Sequence, residues 1–270
     1  MSPKPVQIDD VRAFWESHPL CASAIPHPLG SREFFRAYDA LREANESPAF
    51  SRWLHEYNDF SGRDVLDVGA GNGYVLSRYA QAGARVAGVD ITEAAAALCR
   101  KRFALSGLRG TFVVANAEDL PFADASFDCV CSMGVLHHTP RMDRALAEIR
   151  RVLRPGGRLV LMVYHRNSIL YRVTFPVFSI VRGKPRAQLV DEVDGYGNPK
   201  GEVYSRRELR AMLRGFSDVE TSVGLFQPWM LPRLGGFIPR PALDALGRRF
   251  GWFLYAKAVK PGSGARPAAA

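Results

Sequence analysis

The sequence predicts an α/β fold in which a mostly parallel sheet carries helices on both faces. From about residue 63, short apolar segments typical of buried strands alternate with segments of helical periodicity. The first strand runs into a glycine-rich turn at Gly69, Gly71 and Gly73, and the second strand ends at Asp90. Ligands of such sheets bind at the carboxyl ends of the strands, so both features indicate a binding site at that edge.

Residues 1–60 are predicted to form helices that precede the sheet. Val11, Phe14 and Trp15 share one face of the first helix. Ser31 can cap the second, and Pro48 takes the first helical position of the third. Aromatic stripes at this spacing usually pack on a core.

The alternating part, residues 61–260, supplies seven strands and four helices. The predicted strands are 64–68, 85–89, 111–115, 128–133, 157–163, 218–223 and 250–259. The predicted helices are 74–82, 93–106, 141–153 and 205–213, the last opening with a capping box. Insertions are expected at 165–203, which contains the apolar run 169–181, and at 225–250, which is rich in proline; 261–270 reads as a disordered tail.

The glycine turn and Asp90 indicate a cofactor that contains a nucleoside. Glycine lets the backbone approach a ligand at a distance that a Cβ would forbid, and an acid after the next strand can accept hydrogen bonds from both ribose hydroxyls. A dinucleotide fingerprint would need a third glycine where this chain has Tyr74. The pattern therefore disfavours NAD.

Four ordered motifs resemble those of a known family. Asp67 and the three glycines match the pattern E/D-x-G-x-G-x-G, and three further motifs follow at 116–128, 129–140 and 149–159. Together they resemble the class I S-adenosylmethionine (SAM) methyltransferases, in the small-molecule branch (methyltransferase type 11) that includes the ubiquinone and menaquinone C-methyltransferases. The resemblance spans about 63–165, and it implies a Rossmann-like fold, SAM as cofactor and an N-terminal helical lid at 1–60 over the substrate pocket.

The resemblance also implies a set of cofactor-binding residues. Asp90 would take the ribose hydroxyls, Ile91 would pack on adenine, and Asp67 would meet the cofactor's amino group or orient the loop. Asn116 stands where the family usually has an aspartate, which weakens any charged contact to the adenine amine. The complete implied set is Asp67, Gly69, Gly71, Gly73, Asp90, Ile91, Asn116, Ala117, Glu118 and Met133.

Four residues near the ends of strands four and five are candidate catalytic groups. His137 and His138 follow strand four, where the reactive methyl is expected, and imidazole suits a base at neutral pH. Either ring could instead line the pocket or hold the loop. Tyr164 and His165 end strand five and are expected to point to the same cleft, unless they only bond to the insertion. Only an acceptor that holds its proton tightly, such as an alcohol, requires a base.

No metal site is predicted. His18, His27 and His55 lack metal-ligand spacing, and the acidic residues at 191, 192 and 194 read as a solvated loop without a partnering histidine. The four cysteines, Cys21, Cys99, Cys129 and Cys131, form no CxxC pair and are expected to be reduced thiols.

The net charge and the apolar segments of the chain limit its possible partners and its location. The formal charge is +9, but it comes largely from scattered arginines, and residues 132–135 lack the Pro-Pro-aromatic motif of base methyltransferases, so no nucleic acid is expected. No signal peptide opens the chain, and the apolar stretch 168–181 is too short to span a bilayer, which predicts a cytoplasmic protein.

The sequence thus predicts a SAM-dependent methyltransferase that acts on a small, partly apolar acceptor, with O-methylation favoured. Open alternatives are N-, S- or C-methylation, a nucleic-acid methyltransferase and a non-catalytic SAM-binding protein. The run 169–181 is expected to close over the acceptor with the aromatic helices of 1–60, through Phe175 and Trp53. A dimer interface or contact with a membrane surface is the alternative. The sequence does not decide the oligomeric state.

Overall fold

A computed structural model describes residues 5–19 and 24–262. Its strands are β1 Asp64–Val68, β2 Arg85–Asp90, β3 Thr111–Val114, β4 Phe127–Met133, β5 Leu153–His165, β6 Val203–Tyr204, β7 Ser217–Gly224 and β8 Phe253–Val259. The described strands form one sheet in the order β3-β2-β1-β4-β5-β8-β7, with β6 beside β5. Strand β8 runs antiparallel to both of its neighbours, β5 and β7, and the other described pairs are parallel. The predicted mostly parallel sheet is confirmed; two-residue β6 is the strand that the pattern missed.

The helices of the described part of the chain agree with the predicted alternation. They are α1 Ile8–Ser17, α2 Arg32–Asn45, α3 Pro48–His55, α4 Tyr74–Gln81, α5 Glu93–Ser106, α6 Met142–Val152, α7 Phe175–Arg182, α8 Arg186–Asp191, α9 Arg206–Met212 and α10 Arg240–Phe250. The predicted capping box at Ser205 is present. The predictions missed α7, α8 and α10, which lie in the two expected insertions. Pro241 stands in the first turn of α10, where proline is tolerated, and it suggested an irregular segment instead.

Each face of the sheet buries its own apolar cluster, because successive side chains of a strand point to opposite faces. Leu66 of β1 and Leu161 of β5 pack with Ile149 of α6 on one face. Val65 and Val160 pack on the other face, with apolar residues of α2, α3, α4 and α5. The sheet thus has helices on both sides, and the N-terminal aromatic stripes of α2 and α3 pack on a core.

A third apolar cluster, here called the insertion cluster, joins the two insertions to the end of β5. It contains Tyr164, Leu170, Phe175, Met230 and Trp252 among its buried residues. The predicted insertions therefore pack together beside the carboxyl edge of the sheet. No helix among the described residues is long and apolar enough to cross a bilayer.

The apolar run 169–181 behaves differently at its two ends. Leu170 and Phe175 are buried, whereas Ile180 is 85% exposed and Val181 is 76% exposed. The expectation that the whole run is too apolar to lie exposed is therefore wrong for its end. Trp53 is 47% exposed and lines a groove beside β7 and α10, away from the residues that line the site below.

Cys99, Cys129 and Cys131 are buried free thiols, and Cys21 lies outside the described residues. So do residues 263–270, which make up most of the predicted tail.

Candidate functional site

The glycine turn after β1 has the backbone conformation that its sequence requires. Gly69, Gly71 and Gly73 have φ angles of 81°, 56° and 77°, in the left-handed region that favours glycine. A Cβ on Gly69 would lie 2.2 Å from the Val135 side chain. A Cβ on Gly71 would meet no atom within 4 Å. The turn is thus packed against the loop after β4 on one side and open at Gly71, where a ligand has room.

The carboxylate of Asp90 lies at the open side of this turn. One oxygen accepts a hydrogen bond of 3.0 Å from the Gly71 N–H. The other accepts from the N–H and hydroxyl of Thr92, at 3.1 and 2.9 Å. Burial raises the pKa of Asp90, while these donors act in the opposite direction. The acid is held in place by the backbone, and it can accept further bonds from a sugar.

Two adjoining cavities at the carboxyl ends of β1, β2 and β4, here together called the cofactor cavity, share a common wall. Gly69, Asp90, Ile91, Val135 and His138 line both of them. The first cavity adds, among others, Trp15, Gly71 and Met133. The second adds, among others, Val11, Asn116 and Ala117. Most residues of the implied cofactor-binding set therefore line one continuous region.

The members of that set that do not line the cofactor cavity are Asp67, Gly73 and Glu118. Glu118 has other partners. Its carboxylate accepts from the Thr139 hydroxyl at 2.6 Å and from the backbone and side chain of Arg141, at 2.8 and 3.0 Å. These bonds fasten the loop after β4 to the loop after β3. Glu118 is not among the residues that line the cofactor cavity, so its expected contact with adenine has no support from the geometry. Asn116 does line the cavity, and its Oδ1 accepts from the Glu118 N–H at 3.0 Å.

Asp67, at the end of β1, is a buried carboxylate with an unsatisfied oxygen. Asp67 is 3% exposed, and its Oδ1 has no hydrogen-bond partner among the described residues. Burial raises the pKa of Asp67 to about 7. An unsatisfied carboxylate beneath a glycine turn suits the ammonium group of an amino-acid ligand, directly or through water. The residues present therefore fit SAM, whose ribose, adenine and methionine parts each find a matching group.

Helix α1 covers this cavity. Trp15 lies edge-on to the His138 ring, with 5.2 Å between ring centroids. The Glu16 carboxylate accepts hydrogen bonds of 3.1 Å from the N–H groups of Glu93 and Ala94, at the start of α5. Anionic groups are favoured at a helix N-terminus. The helix is thus attached by one acid across the mouth of the cavity.

Three of the four candidate catalytic residues lie together with an acid from the first insertion. His138 Nδ1 is 2.5 Å from the Lys200 carbonyl oxygen, and its Nε2 is 3.2 Å from Asp194 Oδ2. The Tyr164 hydroxyl donates to the same Asp194 oxygen at 2.5 Å. His137, His138, Tyr164 and Asp194 are here called the polar cluster. The expected solvated loop at Asp194 is wrong, because that carboxylate is partnered by a histidine.

His137 is the unusual member of the polar cluster. It is fully buried, and neither ring nitrogen has a hydrogen-bond partner among the described residues. Burial lowers the pKa of His137 well below its ordinary value, so the ring is neutral. Its centroid lies 4.1 Å from that of His138 and 4.0 Å from that of Tyr164. Two polar atoms are therefore buried without compensation at the centre of the cluster.

His165 does not share this cleft. Its Nδ1 lies 3.1 Å from the Gly251 carbonyl oxygen, and it lines a separate cavity with Asn167, Ser205 and Phe250. The expectation that Tyr164 and His165 point the same way is wrong, because neighbouring residues of a strand face opposite sides of the sheet.

The comparison with protein families agrees with the cavity geometry. Residues 66–161 match the family described as "Methyltransferase domain", a segment that runs from β1 through β5 and includes the glycine turn, Asp90 and the histidine pair. This segment is a class I SAM-dependent methyltransferase domain.

Curated relatives resemble the methyltransferase domain more than the whole chain. The phthiotriol/phenolphthiotriol dimycocerosates methyltransferase of Mycobacterium tuberculosis is 44% identical over 101 residues, 37% of either chain. The fatty-acid O-methyltransferase of Mycolicibacterium smegmatis is 38% identical over 123 residues, 43% of this chain and 44% of that protein. The methyltransferase GfsG of Streptomyces halstedii is 39% identical over 162 residues, 58% of each. The chain thus matches between 37% and 58% of the length of these relatives.

Solved structures share the fold over most of the chain. The cyclase SpnF aligns with a TM-score of 0.57 at 22% identity, covering 88% of this chain and 86% of that one. A Haemonchus contortus phosphoethanolamine N-methyltransferase, solved with S-adenosylhomocysteine, aligns with a TM-score of 0.53 at 20% identity, covering 84% of this chain and 60% of that one. Because one of the two is described as a cyclase, the fold by itself does not determine the reaction.

Sequence reasoning missed the roles of three residues around the site. Trp15 was placed on an apolar helix face, and the expected lid at 1–60 was assigned to the substrate pocket through Trp53 and not through Trp15. Thr92 caps α5 and donates to Asp90, and a threonine before a helical segment is a recognisable capping signal. Asp194 reaches the histidines from 56 residues along the chain, and no local pattern contains that contact.

Proposed function

We propose that this protein is a SAM-dependent methyltransferase that acts in the cytoplasm on the oxygen of a small, partly apolar acceptor. The observation that carries the proposal is the glycine turn, open at Gly71, between the fixed carboxylate of Asp90 and the unsatisfied oxygen of Asp67. The three buried free thiols support a reducing compartment.

The chain's own residues would divide the cofactor among them. Asp90 would accept from the ribose hydroxyls, Ile91 and Ala117 would bracket the adenine, and the glycine turn and Asp67 would hold the methionine part. When bound, SAM supplies a methyl group that is already activated by its sulfonium. The protein then has to align the acceptor and exclude water, and α1 with Trp15 serves the second purpose.

The acceptor is proposed to be apolar with a hydroxyl or carboxyl group. The wall of the cofactor cavity also contains Trp15, Leu98, Met133 and Val135, so the space beside the bound cofactor would have an apolar lining. His138 belongs both to the polar cluster and to the wall of this cavity. The polar cluster therefore offers groups that can bind the acceptor's oxygen and take its proton. Two relatives named for lipid-like substrates, one of them an O-methyltransferase, support the same class. Acceptors that present nitrogen, sulfur or carbon are the other outcomes of the test.

The cofactor half of the proposal is tested by calorimetry of the full chain with SAM, S-adenosylhomocysteine and NADH. Saturable binding of the first two and none of NADH is expected. Folded protein that binds neither SAM nor S-adenosylhomocysteine would reject the proposal.

The acceptor half is tested with radiolabelled SAM and a panel of fatty acids, long-chain alcohols, phenols and amines. Label should pass to an oxygen of an apolar acceptor, and mass spectrometry of the product should identify the methylated atom. Transfer only to amines or to RNA would replace the proposed acceptor class while leaving the cofactor assignment intact.

A further inference from the structure

We propose that His137, His138 and Asp194 form a binding site for one divalent transition-metal ion. Each residue offers one ligand atom, and the three atoms lie within 4.8 Å of one another. Two come from the turn after β4 and one from the insertion after β5, so the site lies where these two segments meet. The proposal goes beyond methyl transfer, which needs no metal in the function proposed above.

The first argument is the contact between His138 and Asp194. The Lys200 carbonyl, 2.5 Å from Nδ1, can only accept a hydrogen bond, so Nδ1 carries the proton. Nε2 then faces the Asp194 carboxylate at 3.2 Å, and either a proton or a metal ion between the two atoms would satisfy both. Metal bonds of about 2.0–2.2 Å at tetrahedral or octahedral angles place neighbouring ligand atoms about 3 Å apart.

The second argument is His137, which is independent of that contact. Its ring is fully buried, and both nitrogens lack partners among the described residues. Burying an unpaired polar group is unfavourable, so native structures pair such groups with protein, water or an ion.

The third argument is the set of groups behind the proposed ligands. Ligating histidines usually donate their second ring N–H to a carbonyl or carboxylate, and ligating carboxylates are themselves hydrogen-bonded. His138 has the Lys200 carbonyl in this place, and Asp194 has the Tyr164 hydroxyl at 2.5 Å. Trp252 packs on Tyr164, with 4.4 Å between centroids, and fixes that ring. Both ligands therefore already have the partners that would orient them.

The donor set selects the class of ion. Two imidazoles and one carboxylate suit Zn²⁺, Fe²⁺, Co²⁺ or Mn²⁺, whereas Mg²⁺ and Ca²⁺ prefer oxygen ligands throughout. Three protein ligands leave at least one position for water or another oxygen. Since His138 also lines the cofactor cavity, that position is close to the proposed acceptor. The idea that the ion also binds the acceptor's oxygen rests on the proposed function. The idea that the site binds an ion is independent of it.

The test begins with the full chain, stripped of metal by a chelator and titrated separately with Zn²⁺ and Co²⁺. We expect one ion per chain by elemental analysis, a visible Co²⁺ absorption typical of nitrogen and oxygen ligands, and a rise in melting temperature. Asp194→Asn should weaken binding by about 100-fold or more, and Tyr164→Phe by about 10–100-fold. Asp191→Asn is the matched control: this acid lies in the same segment but bonds to the Gly201 N–H at 2.6 Å, and metal binding should not change.

A second variant keeps the test valid if Asp194→Asn does not fold. His137→Phe replaces an unpartnered ring by an apolar one, so the metal-free protein should melt at the wild-type temperature or above, yet it should gain nothing from Zn²⁺. SAM binding, measured in parallel, separates loss of this site from loss of the cofactor cavity. Wild-type protein that binds neither ion stoichiometrically, or His137→Phe protein that binds as tightly as wild type, would overturn the proposal. A proton would then bridge His138 and Asp194.

Discussion

Replacing Gly71 by alanine tests whether the open side of the glycine turn holds a ligand. Gly107, which ends α5, offers a matched control, because its φ of 64° is close to the 56° of Gly71 and neither Cβ would meet an atom within 4 Å. A left-handed conformation costs an alanine about 1–2 kcal/mol, partly offset by about 0.4–1 kcal/mol from the less flexible unfolded chain. Both variants should therefore fold, with melting temperatures lower by a few degrees at most.

Only Gly71 lines the cofactor cavity, so the two variants should differ in binding. The added methyl group of Gly71→Ala would occupy space that the methionine part of SAM needs. We expect SAM to bind at least about ten-fold more weakly, a loss of about 1.4 kcal/mol, while Gly107→Ala binds as wild type. Calorimetry with SAM and S-adenosylhomocysteine measures the difference. Unchanged affinity in Gly71→Ala, or equal losses in both variants, would refute the assignment of this turn to the cofactor.

Three further predictions concern groups around the same cavity. Asp90→Asn should weaken SAM binding by about 10- to 100-fold, because a hydrogen bond to a charged group contributes about 1.5–3 kcal/mol. Glu93 is 63% exposed and paired with Arg100, so Glu93→Gln should leave SAM binding unchanged. Equal affinities of the two variants in calorimetry would contradict this. Burial raises the pKa of Asp67 to about 7, so the folded protein keeps a proton that the unfolded chain loses near pH 4, and this stability disappears as the pH rises through 7. Asp67→Asn should therefore melt above wild type at pH 8 and lose this advantage toward pH 4, and a difference independent of pH in thermal melts would count against it. Trp15→Ala should weaken SAM binding several-fold, whereas Trp53→Ala should leave it unchanged. If Trp53→Ala weakened binding and Trp15→Ala did not, α3 and not α1 would be the helix that covers the cavity.

The sequence predicted those features that depend on neighbouring residues. Strand β1 and its glycine turn were predicted correctly, because the apolar segment and the glycines are contiguous and the turn needs positive φ angles. The same holds for Asp90, since the ends of adjacent parallel strands meet at one edge. The polar cluster could not be predicted in full, because Asp194 reaches His138 only after the insertion folds back across β5. The predicted direction of the His165 side chain was wrong. It was inferred from the position of Tyr164, although adjacent residues of a strand point to opposite faces of the sheet.

The exposed end of the apolar run leaves one predicted alternative in place. Ile180 and Val181 lie on the surface beside Arg182, whose guanidinium stacks over Phe178 at 4.6 Å. Apolar side chains bordered by arginines suit an anionic lipid surface. Contact with a membrane surface therefore stays a prediction, and co-sedimentation with anionic and neutral vesicles measures it.

The attachment of α1 has a consequence for the order of events in a catalytic cycle. Among the described residues, α1 is hydrogen-bonded to α5 only through the exposed side chain of Glu16. An acid at a helix N-terminus contributes about 0.3–1 kcal/mol. We expect α1 to move aside when a spent cofactor leaves, and the loss of this contact adds little to the cost of that movement. Dissolved salt screens exposed charges, so the exchange of spent for fresh cofactor should speed up with ionic strength while the methyl-transfer step itself does not.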